Sequence, residues 1–152
     1  RSVDELFSIW KGSVGGNATF LLNVPPNRHG LLADADVEVL ACLGDKIADF
    51  RSRRIDAFRE DDNNDVTLRF DAPRSVGTIV LEEDIAQGQR IDEAVVTSSM
   101  NGEEDREIAR VHCVGYRRII TLETPVTATQ VRVTVTKSRQ GFYLADAYGI
   151  EA

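Results

Sequence analysis

VRVTVTK, residues 131–137, decides the fold class. Val131, Val133 and Val135 alternate with Arg132, Thr134 and Thr136, so a strand here buries one face and wets the other. Working outward, runs of the same β-branched and aromatic character recur as VTLRF (66–70), GTIVLEE (77–83), AVVTSS (94–99), REIARVHCV (106–114), RRIITLE (117–123) and YLADAYGIE (143–151). Asp71-Ala72-Pro73, Asn101-Gly102 and Thr124-Pro125 supply turn chemistry between them. Short strands at this spacing predict an antiparallel sandwich or jelly roll.

Residues 1–50 follow a different pattern. Ser2 and Glu5 fit a capping box, Leu6, Ile9, Trp10 and Val14 keep helical spacing, and Gly15-Gly16-Asn17 stops the helix. ATFLLNV (18–24) is apolar up to Asn23, as expected of a strand covered on both faces. A buried helix would share that run of apolar residues, but so short a run between Gly-Gly-Asn and Pro-Pro favours strand. Asp34 is positioned to cap a second helix, with Val37, Leu40, Leu43 or Gly44, Ile47 and Phe50 on one face. A lone strand has no neighbour to pair with, so this is one step of a parallel α/β architecture and not a domain. The expected class is therefore mixed: a partial (β/α) barrel segment, helix-strand-helix over 1–53, followed by an antiparallel β-sandwich or jelly roll over 54–152.

Composition narrows the function. The 152 residues carry a net charge of −7, which argues against nucleic-acid or anionic-membrane partners, since phosphate binding needs clustered Lys and Arg. No apolar run approaches the ~20 residues of a membrane span. The chain starts at Arg1 without methionine, as a processed or truncated piece would, so the lack of a leader says nothing about secretion. Bacterial secreted, periplasmic and cytoplasmic locations all stay open. Cys42 and Cys113 make neither a disulfide framework nor a zinc pattern, and their apolar contexts suggest buried free thiols. His29 and His112 lack companions at metal-ligand spacing, so no metal and no cofactor is expected.

The ordered run LLNVPP, EEDIAQGQR, GYRR and the C-terminal strand resembles the retaining α-L-fucosidases, most closely the branch acting on α-1,3- and α-1,4-linked fucose. Asn23, Pro25, Pro26, Gly30, Leu31 and Asp36 match the end of that family's catalytic barrel. VTLRFDAPRSVGTIVLEEDIAQGQRI, GYRRIITL and VRVTVTKSRQGFYLADAYGIE resemble the galactose-binding-like (discoidin-type) β-sandwich that follows it. The resemblance implies a parent glycoside hydrolase that releases terminal L-fucose from oligosaccharides, with this segment completing the barrel and supplying the sandwich. A whole barrel needs about 250 residues. The nucleophilic aspartate and the acid/base carboxylate of the family lie on its earlier strands, so no catalytic residue is expected here, and the chain alone is expected to be inactive. The implied partners are a fucosylated oligosaccharide and the missing upstream part of the barrel. The sandwich also looks short: Phe50 is followed almost at once by RSRRIDAFREDDNND, so a first strand or two is missing or the sequence is discontinuous there.

Two groups of candidate residues follow. Asn23, Arg28 and His29 stand at the end of what would be the last barrel strand, where active-site loops gather; Asn23 reads better as a structural hydrogen-bonder, and Arg28 and His29 as solvated loop residues. Arg90, Tyr116 and Arg139, with Arg117, Arg118 and the Gln140-Gly141-Phe142-Tyr143 loop, supply the ring faces and directed donors of a glycan site, or only pack within the sandwich. The run Glu60-Asp61-Asp62-Asn63-Asn64-Asp65 is oxygen-rich enough for calcium, but it lacks the glycine and last glutamate of an EF-hand loop and reads better as a solvated turn. Glu82-Glu83 reads as surface charge, because neighbours on a strand point to opposite faces. A free-standing carbohydrate-binding module is the alternative to a fucosidase fragment.

Overall fold

The computed structural model describes residues 1–139 and 141–152. Helix α1 spans Val3–Val14 and α2 spans Asp34–Ser52. Six strands follow: β1 Phe58–Asp62, β2 Asp65–Glu83, β3 Ile91–Ser99, β4 Arg106–His112, β5 Arg118–Ser138 and β6 Leu144–Glu151. The α1 capping box forms as the sequence predicts: the Glu5 amide donates to Ser2 Oγ at 3.2 Å, and the Ser2 amide donates to Glu5 Oε2 at 2.8 Å. In α2 the expectation fails. Ala33 is the N-cap without a side-chain bond, and Asp34 lies inside the first turn with Asp36, where both still complement the helix dipole. The inward face of α2 is Leu40, Leu43, Ile47 and Phe50, while Val37 and Gly44 are exposed.

ATFLLNV is neither helical nor paired with any strand. Among the described residues the backbone of 19–26 makes no hydrogen bond, and Leu21 is 90% exposed. A lone strand lacks a partner: among the described residues every strand pairs antiparallel within the sandwich, so none is left to form a ladder with this segment.

The sheet order is β1-β2-β5-β3-β4, with β6 on the other part of β2. All pairings are antiparallel. VTLRF and GTIVLEE are one strand, and so are RRIITLE and VRVTVTK. Asp71-Ala72-Pro73 and Thr124-Pro125 are therefore not turns between strands. They mark irregularities where the β2–β5 register shifts, between Arg69 and Arg74 and between Val76 and Thr78. At such bends a strand passes from one layer of a sandwich to the other. The first halves of β2 and β6-free β1 thus join the end of β5, β3 and β4 in one layer; the second half of β2, the start of β5 and β6 form the other.

Between the layers lie Val66, Leu68, Val76, Ile79, Leu81, Ile91, Val96, Val131, Val133 and Val135. Val131, Val133 and Val135 therefore hold the buried face that the alternation assigned them. Val80 and Ile150 point the other way, into a second cluster with Trp10 and Phe50 that fixes the helices to the sandwich. The backbone joins there too: Ile119 N donates to Gly15 O at 3.0 Å, and Ile55 N to Gly149 O at 2.9 Å. Strand β1 was not anticipated; the acidic run folds into a tight hairpin, with Asp62 opposite Asp65 and Asn63 at φ 49°. The thiol expectation also fails, for Cys42 is exposed and Cys113 only partly covered, because Cys42 lies off the inward face of α2 and Cys113 follows the end of β4 at φ 67°.

Candidate functional site

The loop after the apolar segment is organised by Asn27, a residue the sequence did not single out. Asn27 Oδ1 accepts from His29 N at 2.9 Å and Leu31 N at 3.2 Å, while Asn27 N donates to Leu31 O at 2.7 Å. Gly30, at φ 77°, closes the turn. This arrangement leaves Arg28 and His29 fully on the surface, with no side-chain partner among the described residues. Asn23 lies instead beside a small groove of about 240 Å³, with Leu22, Pro25, Asp36 and Leu40. Arg28 and His29 are not among the residues lining that groove.

Of the other three candidates, Arg90 and Tyr116 lie on loops that meet at Glu83. Its side chain is buried, with the residue only 4% exposed. One carboxylate oxygen accepts from Arg90 N at 2.6 Å and Ile91 N at 3.0 Å, and the other from Gly115 N at 3.0 Å. Three backbone donors replace the water this carboxylate has lost. Glu83 is thus the clamp that gathers the loops carrying Arg90 and Tyr116, not surface charge. Its neighbour Glu82 points to the opposite face and pairs with Arg117 at 2.7 Å. The strand alternation holds while the expected role of Glu83 does not, and the only hint in the sequence is an acid closing an apolar run.

Arg90 is committed to the same framework. Its Nη1 donates to Gly141 O at 2.7 Å, and its carbonyl accepts from Arg139 N at 2.8 Å. Arg139 is exposed, with Nε 3.9 Å from Asp92. Gln140 lies outside the described residues. Tyr116 faces a different direction: its ring is half exposed, its amide donates to Asn17 Oδ1 at 2.7 Å, and the Arg117 guanidinium lies 5.3 Å from the ring. Asn17, at φ 63°, sits so close to Gly115 that a Cβ on that glycine would lie 2.2 Å from the Asn17 amide. What looked like a helix stop also stitches the helices to the sandwich. Across this junction Arg54 pairs with Asp146 at 2.7 Å and stacks 4.0 Å from the Tyr148 ring, and burial pushes the Tyr148 phenol up. Among the described residues no group of three His, Cys, Asp or Glu side chains is placed to hold a metal.

No family model matches the chain. Alpha-L-fucosidase 1 of Arabidopsis thaliana is 27% identical over 169 aligned positions, which take in 89% of this chain and 33% of that protein. The aligned length exceeds 152 residues, so the relative carries extra residues inside the matched region. In structure, a Bacteroides thetaiotaomicron VPI-5482 protein assigned as an α-L-fucosidase superposes with a TM-score of 0.91 at 28% identity, over 100% of this chain and 35% of that one. The family 32 carbohydrate-binding module of Streptococcus pneumoniae EndoD shares the fold alone, with a TM-score of 0.50 at 20% identity over 58% of this chain and 69% of the module. The chain is similar to α-L-fucosidases along nearly its whole length, and spans about a third of the fucosidases it matches.

Proposed function

We propose that this chain, similar in sequence and fold to part of the α-L-fucosidases, is the C-terminal part of an exo-acting, retaining enzyme of that kind. Residues 1–53 would supply the last helix, strand and helix of a catalytic (β/α) barrel, and residues 54–152 its galactose-binding-like sandwich. The observation that carries this reading is the unpaired apolar segment, with Leu21 90% exposed between two packed helices. A barrel strand has a parallel neighbour on each side, which would bond the free backbone groups of 19–26 and bury Leu21. The two carboxyl groups of a retaining mechanism stand about 5–5.5 Å apart and belong to other strands of such a barrel. The substrate is then an oligosaccharide ending in L-fucose, and Asn23, Arg28 and His29 are rim residues.

Hydrolysis of 4-nitrophenyl α-L-fucopyranoside tests the division of labour. A longer protein containing this segment should turn the substrate over, and the 152-residue chain alone should not. Turnover by the chain alone overturns the assignment of the catalytic carboxylates elsewhere. No turnover by the longer protein overturns the fucosidase reading. Within an active enzyme, His29→Ala should raise KM severalfold and leave Tm unchanged, because the side chain is exposed and has no polar partner among the described residues; unaltered kinetics would remove His29 from the rim.

A free-standing carbohydrate-binding module is the second reading, favoured by the shared fold of the EndoD module. Such a module has no use for the apolar segment and the two helices, and would leave them as a sticky surface.

A further inference from the structure

We propose that the open edge of the smaller sandwich layer, along the first part of β5, receives an extended, lysine- or arginine-bearing segment of another protein as an added strand. The two layers are unequal. Five strand segments form the larger and three the smaller, so the β3–β4 hairpin overhangs the first part of β5. Beneath the overhang is a groove of about 940 Å³. Its inner walls include Ile108 of β4 and Ile120, Leu122 and Val126 of β5, all packed against the core yet only partly buried. Ser98, opposite the core residue Val131, lines the same groove. It is 9% exposed, and its hydroxyl has no hydrogen-bond partner among the described residues.

The edge itself is partly used. Ile119 N turns away from β2 and donates to Gly15 O at 3.0 Å, so the α1 exit holds the first rung. Strand alternation turns the backbone groups of Thr121 and Glu123 the same way. Among the described residues no strand meets them there. The β2–β5 register also skips residues 122–125, which leaves the lip of the groove outside the ladder. An edge of this kind is a template for another strand.

Charge names the partner. Glu103, Glu104 and Glu123 line the groove without an ion pair among the described residues, whereas Glu107 is held by Arg110 at 2.9 Å. Arg106 is the one cation in the lining. A strand of alternating apolar and basic residues would cover Ile108, Ile120 and Leu122 with one face and bring the other to those carboxylates. A small apolar ligand would fill the walls and leave the backbone edge unused. Every wall comes from residues 98–127, so the groove's shape does not depend on the segment that a barrel would cover. Residues 51–57, where the sequence looks short, lie at the opposite edge of that layer, bonded to β6. The proposal therefore stands apart from the fucosidase reading.

The test titrates the ¹⁵N-labelled 152-residue chain with the acetylated, amidated peptide KVKVKVK and with EVEVEVE as its acidic counterpart. The basic peptide should shift the amides of residues 121–124 saturably and bind about tenfold more tightly than the acidic one. Glu103→Gln, Glu104→Gln and Glu123→Gln together should lower its affinity about tenfold. All three side chains are exposed, so the variant keeps the fold, as the dispersion of the same spectra will show. Two N-methylated forms of the basic peptide, one methylated on the lysines and one on the valines, separate strand pairing from charge attraction. A strand presents alternate amides to each side, so one form should bind and the other should fail. Any of five results overturns the proposal. These are no saturable shift up to ~10 mM peptide, equal affinity for the two peptides, equal binding of the two N-methylated forms, or unchanged affinity in the folded glutamine variant. The fifth is a shift of the same amides that grows with protein concentration alone, which would give the groove to a second copy.

Discussion

At the scale of single residues, a buried carboxylate with only backbone partners has nowhere to place its charge if those partners move. Glu83→Ala removes one acceptor group and strands the amides of Arg90, Ile91 and Gly115. The expected loss is about 3–5 kcal/mol, since each buried donor left unsatisfied costs about 1–3 kcal/mol. Urea unfolding measures it, and a loss under ~1 kcal/mol would show that water replaces the carboxylate easily. Glu93 reports on acid. The Thr136 hydroxyl at 2.7 Å, with Arg110 and His112 nearby, holds its carboxyl below the ordinary carboxylate range. A pKa lower in the folded than in the unfolded chain adds stability that is complete above the unfolded value of ~4.3 and disappears as pH falls through the folded one. Thr136→Val should raise the Glu93 pKa toward its ordinary value and flatten that part of the acid limb. An NMR titration of the Glu93 carboxyl in both proteins decides it, and coincident curves would reject the Thr136 contribution.

At the scale of elements, the apolar segment makes a prediction that separates the chain from a larger assembly. Leu21→Asp should change the stability of the 152-residue chain by no more than ~0.5 kcal/mol, the usual range for a surface position. In a longer protein with a closed barrel, the same substitution should abolish soluble expression or activity. Loss of stability in the short chain would mean that Leu21 is covered there after all. The elements also show how far the sequence could be read. Residues 131–137 gave their alternation plainly because one face meets the core and the other water. The length of β2 and β5 was not legible, because Pro73 and Pro125 at a bend within a strand look the same locally as prolines in a turn. Strand β1 was hidden because Arg59, Glu60, Asp61 and Asp62 are the charges an edge strand carries, and they read as a loop. The apolar run 18–24 reads as a strand but forms none in this chain, since pairing depends on a neighbour and not on the segment. Of the candidate site, Tyr116 was visible as an exposed aromatic type. Asn17, Asn27 and Glu83 were not, since each acts through backbone groups distant in sequence or in a turn that only the fold creates.

At the scale of the whole molecule, two helices and a sandwich are held as one body by Trp10, Phe50, Val80 and Ile150. Trp10 stacks on Phe7 at 5.6 Å and meets Phe50 edge-on at 5.9 Å. Trp10→Ala should therefore cost about 3–5 kcal/mol, the range for emptying a large aromatic site. The helical and sheet signals in circular dichroism should still melt together at a lower temperature. Separate transitions would show that the helices are held by something other than this cluster.

The bent strands β2 and β5 have a consequence in time. Their pairing brings Asp65 opposite Thr134 and Leu81 opposite Arg118, with all of β3 and β4 in the intervening chain. Since both layers are built on this one pair, neither can form early by itself, and a large loop must close before the reward for closing it arrives. Acquisition of structure should thus be slow and concerted, on the millisecond-to-second scale of non-local β-proteins. A nascent chain gains nothing lasting from β2 until β5 has been made, so during synthesis the apolar run Thr78–Leu81 waits uncovered for its partner.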